Sequence, residues 1–126
     1  NDIDKIIAVS APADFDKIEN HMYSPDAWIP TLFQKFEPLR WLTIRAGYPL
    51  LSKDKPVDFA ANINVPTLFI AGEKDPTVFP WHTKLLYDKA LCKKDYKLFK
   101  NARHAEDLYN DFPGRFIKTC IEWYKT

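Results

Sequence analysis

The chain has 126 residues, 46% hydrophobic and 28% charged, which suits one globular core and is neither the composition of a disordered polymer nor the length of two domains. Its 18 basic and 17 acidic residues leave a net charge of +1, which argues against a nucleic-acid partner, since that needs clustered excess positive charge. The densest basic run, Lys93, Lys94, Lys97 and Lys100, is broken by Asp95 and reads as a solvated surface.

No apolar run approaches the roughly 18 residues of a membrane span, so no membrane partner is expected. No basic segment followed by an apolar one opens the chain. The two cysteines, Cys92 and Cys120, are too few for a disulfide framework and form no Cys-x-x-Cys. They are expected as free, buried thiols in a reducing compartment, which places the protein in the cytoplasm. The chain starts at Asn1 rather than Met, and strand-forming residues follow almost at once. It is therefore expected to be a piece of a longer polypeptide.

In chain order, Ile6-Ile7-Ala8-Val9 is a short β-branched run that predicts a strand buried on both faces, ended by Ala11-Pro12. Residues 13–64 contain no convincing strand. Asp14 or Asp16 can cap a short helix through Ile18 to His21, and Ser24-Pro25 is a helix start with Trp28, Leu32, Phe33 and Phe36 at helical spacing. Pro38 begins a further helical pattern ending at Gly47, and Val57–Ile63 allows one or two helical turns. Val65-Pro66 then leads into a buried strand over Thr67–Ala71 that stops at Gly72. Pro80–Leu91 predicts a helix with Trp81, Leu85, Tyr87 or Leu86, and Leu91 on its apolar stripe, and Tyr96–Lys100 a short strand. Asp111 caps a last helix, with Phe116, Ile117, Cys120, Ile121 and Tyr124 on its buried face. Strands alternating with helices predict an α/β fold of about three parallel strands with flanking helices.

In parallel sheets, sites form beyond the carboxyl ends of the strands. Asp75 lies there for one strand and His104 for the next, and neighbouring strands stand roughly 4.8 Å apart. A carboxylate on one ring nitrogen orients an imidazole and stabilises its protonated form, which is the acid and base portion of a nucleophilic hydrolase.

Val65-Pro-Thr-Leu-Phe-Ile-Ala-Gly-Glu-Lys-Asp-Pro, followed by a helix and then Leu98-Phe-Lys-Asn-Ala-Arg-His104, resembles the C-terminal portion of an α/β-hydrolase. The resemblance covers nearly the whole chain. It implies a three-layer α/β-hydrolase-like C-terminal half in a single partial domain over 1–126. Residues 13–64 would be the helical cap or lid insertion, and 65–126 the strands and helices that bear the acid and the histidine. It also implies Asp75 as triad acid and His104 as catalytic base, in the family order Ser, acid, His. The substrate would be a small acyl compound, an ester, amide or related species, and no cofactor or metal would be needed. The insertion's aromatic residues are expected to be mainly core, with one or two of Trp28, Phe33 and Trp41 reaching an apolar substrate pocket.

The nucleophile is missing. The family's serine stands in Gly-x-Ser-x-Gly, whereas Gly47, Gly72 and Gly114 are the chain's three glycines and none brackets a serine. Ser10 follows a strand, but Pro12 obstructs the helix start that a nucleophile turn needs, so its neighbourhood is expected to line one side of the pocket. Cys92 and Cys120 are read as helix residues rather than nucleophiles, and His21 and His82 have no ligand-spaced partners for a metal. Glu73 is expected to point away from Asp75, and Asp58 precedes a strand rather than following one. Asp75 also has a plain reading, as a turn aspartate before Pro76.

Two other functions remain open on the residues alone: a non-catalytic interaction module that keeps the hydrolase fold, and a dehalogenase- or epoxide-hydrolase-type relative with an aspartate nucleophile. If an N-terminal half is absent, the Ile6–Val9 strand carries an unpaired apolar edge. Self-association, or pairing with that half, is then expected across it.

Overall fold

Residues 3–15, 17, 18 and 54–126 are described in the computed structural model. Their elements are β1 (Ile6–Val9), α1 (Pro56–Phe59) running into a 3₁₀ turn (Ala60–Asn62), β2 (Thr67–Gly72), α2 (Pro80–Lys89), β3 (Lys94–Phe99), α3 (Glu106–Asp111) and α4 (Pro113–Lys125). The helices expected from Ser24-Pro25 and from Pro38 lie outside the described residues.

The three strands form one parallel sheet in the order β1-β2-β3. Ile6 stands opposite Thr67 and Val9 opposite Ile70, while Thr67 stands opposite Lys94 and Gly72 opposite Phe99. The carboxyl ends therefore fall at one edge. β2 is central and all six of its residues are buried, as its uninterrupted apolar sequence requires.

The period-two alternation of β2 splits its side chains between two cores. Leu68 and Ile70 face Phe99, Ala102, Leu108 and Trp123, with Ile7 and Val9 alongside, so α3 and α4 cover this side. Phe69 faces Ala13, Ala60, Leu86 and Ala90, so α2 and the 3₁₀ turn cover the other. Burying each of Leu68, Phe69 and Ile70 contributes about 1.5–3 kcal/mol. Lys5 ties the two ends of the described chain together. Its ammonium donates to the carbonyls of Trp123 at 3.1 Å and Tyr124 at 3.2 Å, in the last turn of α4, where a cation meets the unpaired carbonyls and the negative end of the helix dipole.

The segment that leaves the sheet after β1 starts and returns at one place. Val57 N donates to Ala13 O at 3.1 Å, and Lys55 pairs with Asp14 at 2.9 Å. The starting end sits on α2: Ala13 N donates to His82 Nδ1 at 3.3 Å, and Thr83 Oγ1 donates to Ala11 O at 3.2 Å.

Six expectations are corrected. β1 is half-buried rather than buried on both faces, because among the described residues it has a strand on one side only. β3 starts at Lys94 instead of Tyr96 and ends before Lys100, because Thr67 fixes where the parallel ladder begins and Asn101 already turns with φ +62°. α2 ends at Lys89. It buries His82, Thr83 and Leu86, while Trp81 is exposed and stacks on the His82 ring, and Leu91 is exposed beyond the helix. Asp111 does not cap the last helix but closes α3. Pro113 has no N–H for a continuous helical ladder, so the chain breaks at Phe112 and starts again with Pro113 in the first turn. The buried face of α4 runs through Phe116, Cys120 and Trp123, and Ile117, Ile121 and Tyr124 are exposed. Cys92 lies in the bend between α2 and β3, not on a helix, and both thiols are half-buried.

The corrected phase of α4 is testable by urea unfolding. Trp123→Ala should destabilise the chain by about 3–5 kcal/mol, whereas Ile121→Ala should stay within about 1 kcal/mol of the parent.

Candidate active site

The site lies where β2 and β3 end. Beyond Gly72 and Phe99 the two chains do not separate but bond directly. Glu73 N donates to Phe99 O at 3.0 Å, and Lys74 N donates to Ala102 O at 2.9 Å. Asn101 N donates to the Glu73 carboxylate at 2.9 Å, so Glu73 points away from Asp75, as its place in the turn predicts, and clasps the opposite loop. Asn101 sits in the left-handed region, which asparagine tolerates better than most residues.

This close approach explains the glycine that ends β2. A Cβ on Gly72 would stand 2.7 Å from the Ala102 carbonyl oxygen and would overlap the carbonyl of Arg103. Only a residue without a side chain lets the histidine loop fold across the end of the strand.

Asp75 is 2% exposed, and its two oxygens are divided between two tasks. Oδ1 accepts from Thr77 N at 2.9 Å and from Val78 N at 2.8 Å, closing the turn that leads to α2. Oδ2 lies 2.8 Å from Nδ1 of His104. The turn role and the histidine-orienting role are therefore compatible, because each uses its own oxygen. Three donors satisfy a carboxylate that burial would otherwise penalise heavily.

An ionised carboxylate can only accept, so Nδ1 of His104 is the donor, and in the neutral ring Nε2 is then the nitrogen with the lone pair. The His104 side chain is 37% exposed, and Nε2 has no hydrogen-bond partner among the described residues. The His104 backbone is also held: Asp107 N donates to its carbonyl at 2.7 Å as α3 begins.

Ser10 reaches this site from the third strand end. It is buried, with φ +47°, and its Oγ accepts from Ala105 N at 3.2 Å. Its backbone N donates to Ile70 O at 2.9 Å and so extends the ladder of the sheet. The expectation for Ser10 went no further than the side of a pocket. Only a contact spanning 95 residues reveals its link to the histidine loop, and no local pattern signals it.

Trp28, Phe33, Trp41 and His21 lie outside the described residues. His82 is buried on α2, with Nδ1 accepting from Ala13 N. Asp58 is exposed in α1 and far in sequence from any strand's carboxyl end. Burial pushes the Cys120 thiol above its ordinary pKa, the opposite of what a thiolate nucleophile needs. Among the described residues no group of three histidine, cysteine or carboxylate side chains could hold a metal ion, and no helix is long and apolar enough to cross a membrane.

No family model matches the chain, and no curated protein matches it in sequence. Solved structures do match. An esterase from Exiguobacterium antarcticum aligns with a TM-score of 0.64 at 17% identity, over 100% of this chain and 59% of its own. A hydrolase from Pseudomonas aeruginosa PA01 aligns with a TM-score of 0.61 at 16% identity, over 98% and 56%. Est816, described as an N-acyl homoserine lactone degrading enzyme, aligns with a TM-score of 0.57 at 12% identity, over 94% and 57%. The three parallel strands and flanking helices are thus the α/β fold of these hydrolases, and the chain spans less than three-fifths of their length.

The need for Gly72 gives a direct test. Gly72→Ala should destabilise the chain by about 1–3 kcal/mol in urea unfolding, the usual range for an overpacked site that must shift backbone. It should also disturb the amide resonances of Ala102 to His104, whereas Gly114→Ala, which meets open space, should not.

Proposed function

We propose that this chain supplies the acid and the base of a serine hydrolase whose nucleophile stands on another part of the same fold. One observation carries the proposal: a buried carboxylate bonds Nδ1 of a partly exposed imidazole, at the carboxyl edge of a parallel sheet. The mechanism follows from that arrangement. A serine hydroxyl attacks the acyl carbon of an ester, amide or related substrate while His104 Nε2 takes its proton. The imidazolium then gives that proton to the leaving alkoxide or amine. Water attacks the acyl-enzyme with His104 again as base, which releases the acid and restores the serine. Asp75 keeps the ring in the productive tautomer and stabilises the imidazolium, without taking the proton itself.

The nucleophile would enter on a strand beside β1. Among the described residues the outer edge of β1 is unpaired, and a groove of about 300 Å³ lined by Ile6, Ala8, Phe59, Ile63, Phe69 and Leu86 lies next to it. The groove is almost entirely apolar, and Phe59 is half exposed. A further parallel strand with its helix would pair the edge and cover this surface. The lengths of the matched structures leave room for such a unit.

Four measurements test this reading. The 126-residue chain alone should neither hydrolyse p-nitrophenyl acetate nor react with a fluorophosphonate probe. Labelling at Ser10 would overturn the proposal. The coding sequence upstream of Asn1 should encode Gly-x-Ser-x-Gly. Aspartate in place of that serine would mean the dehalogenase or epoxide-hydrolase chemistry, and neither residue would leave an interaction module. In the longer protein, Asp75→Asn should lower turnover by a factor on the order of 10⁴. The isolated chain should also self-associate through β1, which sedimentation at rising concentration would register; a monomer throughout would count against the open edge.

A further inference from the structure

We infer that Ser10 is a positioning residue for His104, acting through the backbone of Ala105. The inference rests on the reading of Asp75 and His104 as an acid and base pair. Asp75 holds the imidazole ring from the β2 side at 2.8 Å. Nothing in that bond fixes where the ring's backbone lies, because the side chain can rotate about two bonds between them. The backbone is fixed from the other direction. The N–H of Ala105, one residue past His104, donates to Ser10 Oγ at 3.2 Å, from the end of the strand on the far side of β2.

Both partners in this bond have unusual backbones. Ser10 has φ +47° and Ala105 φ +21° with ψ −85°. Neither residue is a glycine, and a positive φ strains a residue that carries a Cβ. Such conformations persist where surrounding contacts over-determine them, and they cluster at functional sites. Here the contacts are identifiable. The Ser10 backbone N–H is locked to Ile70 O at 2.9 Å, which aims its hydroxyl past the end of β2. The Ala105 carbonyl accepts from Leu108 N at 3.1 Å as α3 starts. The hydroxyl is thus a bridge between the rigid end of β1 and the peptide that sets the direction of His104.

An alanine or a leucine at position 10 would fill space without offering an acceptor. The Ala105 N–H would then be left unpaired near the buried strand end, the unsatisfied state that native structures avoid. The strained Ala105 peptide would relax, and the imidazole would move off the carboxylate with it. In a site where a displacement of about 1 Å can cost 10²-fold in rate, that is a catalytic effect exerted without contact to the substrate.

The test reads the His104 ring directly by NMR, on the 126-residue chain, without requiring turnover. The parent should show a downfield Nδ1–H resonance for His104, and Asp75→Asn should move it upfield. Ser10→Ala and Ser10→Gly should each lose that resonance or shift it upfield while the remaining amide spectrum stays native. Ser10→Gly is the decisive variant, because glycine accepts the positive φ, so losing the hydroxymethyl group adds no backbone strain. Ser10→Thr, which keeps a hydroxyl at the same branch, should retain the resonance. If Ser10→Gly leaves the resonance in place, or fails to fold, the hydroxyl serves stability alone and the inference is overturned. If the parent lacks the resonance or Asp75→Asn leaves it unmoved, the pairing of Asp75 with His104 fails first, and the role of Ser10 falls with it.

Discussion

The carboxylate of Asp75 is the point on which the rest of the site depends. It is buried beyond a strand end, where an unpaired charge would be too costly to keep, so it must be fully hydrogen-bonded. Two of its donors, the N–H groups of Thr77 and Val78, come from its own turn and cost little to arrange. The third is His104, which must be brought from 29 residues further along the chain. That requirement sets the path of the second loop. It has to cross the end of β2 closely enough for Lys74 to bond Ala102, and such a crossing is possible only over a residue without a Cβ, which is Gly72.

The sheet supplies the rigidity for this arrangement. β2 is buried throughout and is bonded on both sides, so its end is a fixed reference. β3 ends opposite Gly72 and delivers Asn101 to the left-handed turn that starts the histidine loop. β1 ends on the opposite side and delivers Ser10. Three strand ends therefore converge on one imidazole: one through the ring, one through the loop and one through the adjoining peptide. α3 and α4 hold this geometry from one face of the sheet, α2 from the other.

Asp75 and His104 were legible because each is marked by a local event, a strand that stops followed by a residue that can carry charge or a proton. Gly72 was legible as a stop. The face of α4 was not. Phe116, Ile117, Cys120, Ile121, Trp123 and Tyr124 offer two overlapping apolar stripes, and periodicity cannot choose between them. Packing chose the stripe that ends on Trp123, whose large ring fills the space beside Leu68 and Ile70. The α3 helix carries no such signal: it is six residues long with a single buried position, too short for a period to show, and it forms because Leu108 is drawn into the core.

What the sequence determined by itself was the alternation of strands and helices, the parallel sheet that follows from it, and the two residues past successive strand ends. These depend on residue type and spacing along the chain. What only the tertiary structure decided was distance: that Asp75 splits its oxygens between a turn and a ring, that Gly72 lies beneath a carbonyl, and that Ser10 accepts from Ala105 across 95 residues. The physical reason is that hydrogen bonds act over about 3 Å, and only the registered packing of three strands brings groups so far apart in the chain within that range.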